Sequence, residues 1–344
     1  MTGEIRASAP LRISFVGGGT DFPHYFERHG GAVLSATIDF AAHVRIVPRT
    51  DRHVRIRSLD LGHVVEYHLA GGPVYDGVMD LPKAAIERLG VPTGVDVDIA
   101  SDAPPGSGLG GSSALVTACV GALATLLDRS MTPRAVAEIS YAIEREDLGI
   151  VGGWQDQYAA AFGGFNLFEF GPGGVSVHPL DLSKHAIAEL RSHLMLCYTG
   201  NVRTDLGLIE SQIRMFHDGR EDTIVGMKQL QAMAFEMRHE IEAGHIAQLG
   251  PMLRAAFESK KLMNPQIAEG TAIEHLLSVA RAEGASGGKI CGAGGGGYLL
   301  LACAPQRQRD VRGALERLGG QFAGFAFRTH GVEARSDDRM WRPA

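Results

Sequence analysis

The 344-residue chain contains few cysteines, no excess of basic residues and no long apolar run. Its cysteines are Cys119, Cys197, Cys291 and Cys303, which lie far apart and form no Cys-x-x-Cys pair. This spacing argues against a disulfide framework or a zinc site and favours a reducing compartment. The formal net charge of −6 argues against nucleic acid as the main partner.

Segments that would place the chain in or across a membrane are also missing. The longest apolar stretch, Ala114–Leu127, is too short to cross a bilayer, and the first residues contain no signal-peptide core. The 14 histidines show no His-Glu-x-x-His spacing of the kind that binds zinc. We therefore expect a cytoplasmic protein that does not bind a membrane.

The pattern of apolar residues predicts an α+β protein with two domains. With 45% hydrophobic residues, the chain can bury a large core. The first hundred residues are typical of strands and the second half is mostly helical in pattern, without strict alternation of the two. A candidate linker, Gly-Pro-Gly-Gly at residues 171–174, precedes the change. We expect one domain over residues 1–175 and a second over residues 176–344.

Many of the 45 glycines fall in three loops, at residues 17–19, 106–111 and 287–297. Each loop precedes or follows a predicted strand. Glycine runs cost backbone entropy, and a close approach of the backbone to a ligand is a common reason for them. Three such loops predict a site between the two domains.

The middle loop has the features of a phosphate-binding turn. The segment from Asp102 to Thr117 reads Asp-Ala-Pro-Pro-Gly-Ser-Gly-Leu-Gly-Gly-Ser-Ser-Ala-Leu-Val-Thr, and an apolar helix is predicted from Ala114. Unpaired N–H groups and the positive end of the helix dipole attract phosphate to such a corner. The candidate nucleotide-binding residues are Pro105, Gly106, Ser107, Gly108, Leu109, Gly110, Gly111, Ser112 and Ser113.

Two other interpretations of this loop fit less well. The common P-loop pattern fails because no Lys-Ser or Lys-Thr pair follows the glycines. The loop satisfies Gly-x-Gly-x-x-Gly, but a dinucleotide-binding fold needs a strand after the first helix, and here a second helical pattern, Arg134–Asp147, follows instead. A merely tight turn would not need four glycines flanked by prolines and serines.

Three motifs occur in the order typical of one family. They are Pro-Leu-Arg-Ile-Ser-Phe-Val-Gly-Gly-Gly-Thr-Asp at residues 10–21, Pro-Pro-Gly-Ser-Gly-Leu-Gly-Gly-Ser-Ser-Ala at residues 104–114 and Lys-Ile-Cys-Gly-Ala-Gly-Gly-Gly-Gly at residues 289–297. Together they resemble the GHMP small-molecule kinases over nearly the whole chain. The resemblance implies an N-terminal domain like the second domain of ribosomal protein S5 and a ferredoxin-like C-terminal domain. It also implies ATP, with its triphosphate on the middle loop.

The resemblance further implies the groups that act in phosphoryl transfer. Asp156 matches the family's catalytic aspartate, which takes the proton of the attacking hydroxyl; its alternative role is to cap a helix that starts near Gln157. Arg12 matches the basic residue that neutralises this aspartate or the moving phosphoryl group. Its alternative role is that of a solvent-facing arginine on an edge strand.

A magnesium ion is expected together with the ATP. Glu144 precedes Asp156 much as the metal ligand of galactokinase-like members precedes their aspartate, and Ser112 resembles the hydroxyl ligand. Ser113 is a near-equal alternative because the loop reads Gly-Gly-Ser-Ser. The alternative for Glu144 is a solvated charge run at a helix end.

Sugar binding is expected at the first and third motifs. Galactokinases have Glu-His before the Thr-Asp pair where this chain has Gly-Gly, and the motifs are more similar to those of the family's heptose phosphate kinases. They imply transfer to the anomeric hydroxyl of heptose 7-phosphate, giving a 1,7-bisphosphate for GDP-heptose synthesis, with fucokinase-type members as a second match. The implied substrate contacts are Gly18, Gly19, Thr20, Asp21, Gly294 and Gly295, with Asp21 binding sugar hydroxyls.

A phosphorylated substrate would need a cationic clamp, for which Arg203, Lys289 and Arg28 are candidates. Each is otherwise an ordinary surface cation. Three rival functions stay open: a non-catalytic sugar and nucleotide sensor, an NAD-dependent dehydrogenase and a decarboxylase relative. The candidate base and metal ligand argue against the first, and the missing second strand argues against the dehydrogenase.

Overall fold

The computed structural model describes residues 3–202, 207–269, 271–336 and 339–342. Within these residues the strands are β1 (Ile5–Val16), β2 (Gly31–Pro48), β3 (His53–Ser58), β4 (Val64–His68), β5 (Val95–Ser101), β6 (Phe165–Gly171), β7 (Gly174–Pro179), β8 (Leu194–Val202), β9 (Ala285–Ile290), β10 (Gly296–Cys303), β11 (Gln321–Ala323), β12 (Glu333–Ser336) and β13 (Arg339–Trp341). The α-helices are α1 (Pro23–His29), α2 (Asp80–Leu89), α3 (Gly111–Leu126), α4 (Pro133–Ala142), α5 (Gln155–Phe162), α6 (Lys184–Ser192), α7 (Leu208–His217), α8 (Glu221–Glu242), α9 (Leu249–Met263), α10 (Ile273–Ala282) and α11 (Gln308–Glu316).

A nine-stranded sheet is organised around the long strand β2. β1 pairs with β2 along most of its length, while β5 pairs with the second half of β2 and β6 with the first half. Helix α3 packs against β1 and β2. Its alanine, valine and leucine side chains are buried on nearly all sides, which explains why its sequence shows little amphipathic alternation.

A second, antiparallel sheet has the order β11-β8-β10-β9. Helices α9 and α10 pack against β9. A methyl group on Gly287 of β9 would lie only 2.0 Å from the carbonyl oxygen of Gly250 in α9. The glycines of β9 therefore allow helix and strand to approach each other closely.

The predicted α+β class is confirmed, and no strand separates α3 from α4, as the sequence indicates. The loop predicted over residues 287–297 is wrong at both ends, since Gly287–Ile290 belong to β9 and pair with β10, and Gly296 and Gly297 begin β10. Cross-strand pairing and burial outweigh the low strand propensity of glycine there. All four cysteines are free and buried.

The boundary predicted at residue 175 falls inside β7, a strand of the large sheet, and β12 and β13 return to that sheet beside β1. The division into domains at this residue stays a prediction. Within the described ranges, no helix is both long and apolar enough to span a membrane.

Candidate active site

A cleft of about 590 Å³ lies where the loops of the large sheet meet the β9–β10 loop of the small sheet. The three glycine-rich loops line it together through residues 17–19, residues 106–108 with 110–111, and residues 292–296. Segments nearly 300 residues apart in sequence therefore face one cavity.

The middle glycine loop turns sharply into helix α3. Gly106, Gly108 and Gly110 have φ angles of 72°, 78° and 76°, in the left-handed region that favours glycine. α3 begins at Gly111 without a side-chain cap. The amide groups of its first turn have no partners within the helix, and they lie at the wall of the cleft where an anion can accept their hydrogen bonds.

The middle and last glycine loops press against each other. A methyl group on Gly108 would lie 2.7 Å from the carbonyl oxygen of Cys291, and one on Gly297 would lie 2.4 Å from that of Ser107. The amide of Tyr298 donates a hydrogen bond to Ser107 (3.0 Å) and ties the two loops together. Any larger residue at these glycines would push the two halves of the cleft apart.

Arg12 and Asp156 form an ion pair at the centre of the cleft. The Nε and Nη2 atoms of Arg12 each lie 2.7 Å from Oδ1 of Asp156, and Nη1 donates to the carbonyl of Gly108 at 2.6 Å. The amide of Arg12 also donates to the carbonyl of Leu109 (2.9 Å). Arg12 is 4% exposed, so it is not a solvent-facing edge arginine. Asp156 lies in the first turn of α5, but its carboxylate contacts Arg12 rather than capping the helix.

Glu144 lies in a π-helical turn, Ile143–Asp147, and is 1% exposed. Its Oε1 accepts a hydrogen bond from Ser112 Oγ (2.9 Å) and its Oε2 accepts one from Ser113 Oγ (2.8 Å). Gln157 also donates to Oε2. A solvated charge run is therefore the wrong description of Glu144. Both serines reach the same carboxylate, but Ser112 is exposed to the cleft and Ser113 is 3% exposed.

Asp21 is fully buried and its carboxylate is held by protein donors. Oδ1 accepts hydrogen bonds from the Gly19 amide (3.0 Å) and the Gln155 side chain (3.1 Å), and Oδ2 accepts one from the Gln155 amide (3.1 Å). Burial raises the pKa of Asp21 above its usual range. In this arrangement Asp21 fixes the first glycine loop against the start of α5.

Two of the predicted site residues lie behind the cleft wall. Thr20 is fully buried, and the single proton of its hydroxyl can be donated to the carbonyl of Gly17 (2.8 Å) or to that of Ala32 (3.1 Å). Leu109 is also fully buried and faces the core. In both cases the motif places the residue in a tight turn whose alternate side chains point away from the cavity.

The remaining predicted site residues divide by position. Arg28 is exposed on α1 and is not part of the cleft wall, whereas Lys289 is 4% exposed and lines it. Arg203 lies outside the described residues. The predicted residues that line the cleft are Arg12, Gly18, Gly19, Asp21, Pro105, Gly106, Ser107, Gly108, Gly110, Gly111, Ser112, Ser113, Glu144, Asp156, Gly294 and Gly295.

Sequence reasoning missed several polar residues of the cleft. Gln155 flanks the candidate base, Gln212 donates to the carbonyl of Gly19 (3.2 Å), and Lys260 lines the wall from α9. Because Gln155 is next to Asp156 in the sequence, it could have been identified as a candidate cleft residue. The sequence around Lys260 does not indicate a buried position, since a lysine in an amphipathic helix is usually solvated.

The described residues contain no group of three or more His, Cys, Asp or Glu side chains that could hold a metal ion by themselves. A cation here would depend on ligand and water oxygens in addition to protein ones. Mg²⁺ is usually bound in this way in nucleotide sites.

Comparisons with known proteins show which family this chain resembles. The family model for the GHMP kinases N terminal domain matches residues 60–164, and that for the GHMP kinases C terminal domain matches residues 237–321. D-glycero-alpha-D-manno-heptose 7-phosphate kinase of Campylobacter jejuni is 33% identical over 96% of this chain and 98% of its own length.

Two solved structures superpose on nearly the whole chain. A D-glycero-D-manno-heptose 1-phosphate kinase from Bacteroides thetaiotaomicron superposes with a TM-score of 0.80 and 29% identity, over 96% of this chain and 98% of that one. Galactokinase of Lactococcus lactis, complexed with galactose, has a TM-score of 0.77 and covers 96% of this chain and 94% of that one. Its identity is 20%, so it supports the fold alone.

Proposed function

The chain belongs to the GHMP kinase family, and on that premise we propose that it transfers the γ-phosphoryl group of ATP to the anomeric hydroxyl of a sugar phosphate. The substrate we propose is D-glycero-D-manno-heptose 7-phosphate, the sugar phosphate named for the Campylobacter jejuni relative, which would give the 1,7-bisphosphate. The observation that carries the proposal is the ion pair of Arg12 and Asp156 beside the glycine loop. A carboxylate in that place can take a proton from an alcohol bound next to a triphosphate.

Asp156 would accept the proton of the attacking hydroxyl. Its carboxylate lines the cleft with its side chain 25% exposed, so it can be reached by a substrate. Arg12 orients the carboxylate and, through its contact with the Gly108 carbonyl, links the base to the phosphate loop. Phosphoryl transfer depends mainly on such positioning and on charge neutralisation.

The triphosphate would lie on the loop formed by residues 105–113. There the backbone amides of the left-handed turn and of the start of α3 supply donors without a Walker lysine. The adenine base would lie towards Leu61, Ile99 and Leu115, the apolar residues that line the cleft on the side of β5. The sugar would lie towards the first glycine loop, beside Gly18, Gly19 and Asp21.

Ser112 and Glu144 fit a magnesium ion, because both offer oxygen ligands next to the phosphate loop. When bound, Mg²⁺ would neutralise charge on the transferring phosphates. Ser113 and Gln157 hold the other carboxylate oxygen of Glu144, which fixes its direction. Ser112 is therefore the better candidate ligand of the two serines, since it is exposed at the cleft whereas Ser113 is buried.

The other candidate functions are less well supported. A fucokinase- or galactokinase-like activity would use the same cleft with an unphosphorylated sugar. The Gly18-Gly19 pair, where galactokinases have Glu-His, leaves the sugar end without those two side chains. A sensor on the same fold would not need a buried arginine held against a carboxylate at the phosphate loop. Localisation in the cytoplasm stays a prediction.

The test is an ADP-release assay against free and phosphorylated hexoses and heptoses, with the position of the new phosphate read by phosphorus NMR. We expect turnover on heptose 7-phosphate with the phosphate on the anomeric carbon. Absence of ADP release above the ATPase background for every sugar would contradict the proposed activity. Equal kcat/KM for heptose and heptose 7-phosphate would reject a requirement for the substrate phosphate.

A further inference from the structure

Two buried lysines face the cleft from the small sheet and its helix layer. Lys260 comes from α9 and is 6% exposed, and Lys289 comes from β9 and is 4% exposed. Both line the cavity that holds the glycine loops and the candidate base. Lysine is almost never fully buried unless it is paired, so their surroundings need a physical explanation.

Each ammonium group has one backbone carbonyl as its hydrogen-bond partner. Lys289 Nζ donates to the carbonyl of Ser14 (2.6 Å), and Lys260 Nζ donates to that of Gly292. Among the described residues, no carboxylate forms an ion pair with either group. An ammonium group has three N–H donors, so each lysine keeps donors that these contacts do not use.

Other lysines of the chain show what a paired group looks like. Lys83, which is also buried, bonds to Asp76 (2.9 Å) and Asp80 (3.0 Å). Lys261, the neighbour of Lys260 on α9, bonds to Glu258 (3.0 Å) and Glu274 (2.6 Å). Lys260 and Lys289 differ from both because their charges are compensated only by carbonyl dipoles at short range.

Electrostatics agree with this geometry. Burial, together with the smaller effect of the nearby Lys289 charge, lowers the pKa of Lys260 to about 7. Burial lowers the pKa of Lys289 to about 8, with a contribution from Arg12. Asp21 favours the charged form of Lys260, but its influence is the smallest of those acting on that group. Arg12 is already paired with Asp156, so the two buried ammonium groups are the charges here that lack a carboxylate partner, which favours an anion beside them.

The carbonyl partners fix where this part of the cleft lies. Gly292 packs against Gly108 of the phosphate loop, since a methyl group on it would come within 2.5 Å of the Gly108 Cα. Ser14 follows Arg12 by two residues on β1, and its own hydroxyl is buried without a hydrogen-bond partner. The lysines therefore flank the region between the phosphate loop and the expected sugar position.

We propose that Lys260 and Lys289 form a binding site for a phosphoryl group carried by a substrate. The group is either the γ-phosphate of ATP or the phosphate already present on the sugar. The oxygens of such a group would accept hydrogen bonds from the unused N–H groups of the two lysines, and its negative charge would compensate their positive charges. This inference rests on the proposed kinase function, and it adds Lys260 to the site and gives Lys289 a stated partner.

The test compares Lys260→Met and Lys289→Met with Lys261→Met, a matched control on the same helix. Affinities are measured by calorimetry for the non-hydrolysable analogue AMPPNP, for ADP, for heptose 7-phosphate and for free heptose. We expect each of the first two variants to lose about tenfold or more in affinity for one phosphorylated ligand, with Lys261→Met unchanged. A lower affinity for AMPPNP but not for ADP identifies the γ-phosphate as the bound group. A lower affinity for heptose 7-phosphate but not for heptose identifies the phosphate of the sugar.

Unchanged affinity for both phosphate carriers in Lys260→Met and Lys289→Met would overturn the inference. A second measurement, the pH dependence of ligand affinity, uses only the wild-type protein and so does not depend on whether a variant folds. A sugar phosphate gains negative charge as pH rises past about 6, which alone would strengthen binding. We expect the affinity for the sugar phosphate or for AMPPNP to fall instead between pH 6.5 and 9, because the lysines lose their charge over this range. If the affinity falls for neither ligand, the proposed site is contradicted. Because these are binding measurements, they separate this inference from a failure of the proposed turnover.

Discussion

Arg12 of the first strand and Asp156 of α5 lie 144 residues apart in sequence and share a 2.7 Å ion pair in the cleft. The same guanidinium group donates to the carbonyl of Gly108. A single buried side chain therefore connects the candidate base with the loop that would hold the phosphates. This connection explains why a strand, a loop and a helix from distant parts of the chain must fold together before the site exists.

The first prediction concerns the candidate base. Asp156→Asn keeps the shape of the side chain but removes its ability to accept a proton. We expect kcat to fall by roughly 10²–10⁴-fold, with little change in the affinity for AMPPNP. Steady-state ADP release and calorimetry measure the two quantities. Turnover close to that of the wild type would exclude Asp156 as the base.

The second prediction concerns the magnesium site. Glu144→Gln removes the carboxylate charge while keeping the size of a side chain that is buried among Ser112, Ser113 and Gln157. We expect half-maximal activity to require a higher magnesium concentration. Ser112→Ala should raise that concentration more than Ser113→Ala, since Ser112 is exposed at the cleft and Ser113 is buried. Identical magnesium titrations for wild type and Glu144→Gln would count against Glu144 as a ligand.

The third prediction concerns the contact between the glycine loops. Gly108→Ala should lower the free energy of unfolding by about 1–2 kcal/mol from the left-handed backbone, with about 1–3 kcal/mol more from the clash with the Cys291 carbonyl. Gly90→Ala is the matched control, because Gly90 has a similar φ of 66° but nothing within 4 Å of the added methyl group. Urea unfolding measures both variants.

We also expect Gly108→Ala to weaken AMPPNP binding, because the added methyl group shifts the phosphate loop. Gly90 lies at the end of α2, away from the cleft, so Gly90→Ala should bind the analogue like the wild type. Equal stability of the two alanine variants would show that the loops can separate without cost.

The fourth prediction concerns pH and stability. The folded-state pKa of Lys260, about 7, lies below the value near 10.5 expected in the unfolded chain. The unfolded state then binds more protons between these pH values, so the contribution of Lys260 to stability rises with pH across that window. The charged or titrating groups that act on it are Lys289, Cys291, Arg12 and Asp21.

Replacing this lysine should therefore stabilise the ligand-free protein at low pH. We expect Lys260→Met to melt above the wild type at pH 6.5, with a difference that narrows towards pH 9.5. Lys261→Met, whose partners are exposed carboxylates, should show no such trend. A Lys260→Met variant that melts below the wild type by the same amount at both pH values would mean that the amine serves only to tie the chain to Gly292.

Residue order and composition were sufficient to predict the α+β class, the lack of a disulfide framework and the three glycine motifs. Arg12, Glu144 and Asp156 became candidates through the resemblance of these motifs to the GHMP kinases, which is visible in the chain before it folds. The folded chain was needed to show that Thr20 and Leu109 lie behind the cleft wall. It was also needed to show that both serines contact Glu144 and that Lys260 and Lys289 are both buried at the cleft. The burial of a side chain and its hydrogen-bond partners depend on which distant segments pack together, and a local sequence pattern does not predict this packing.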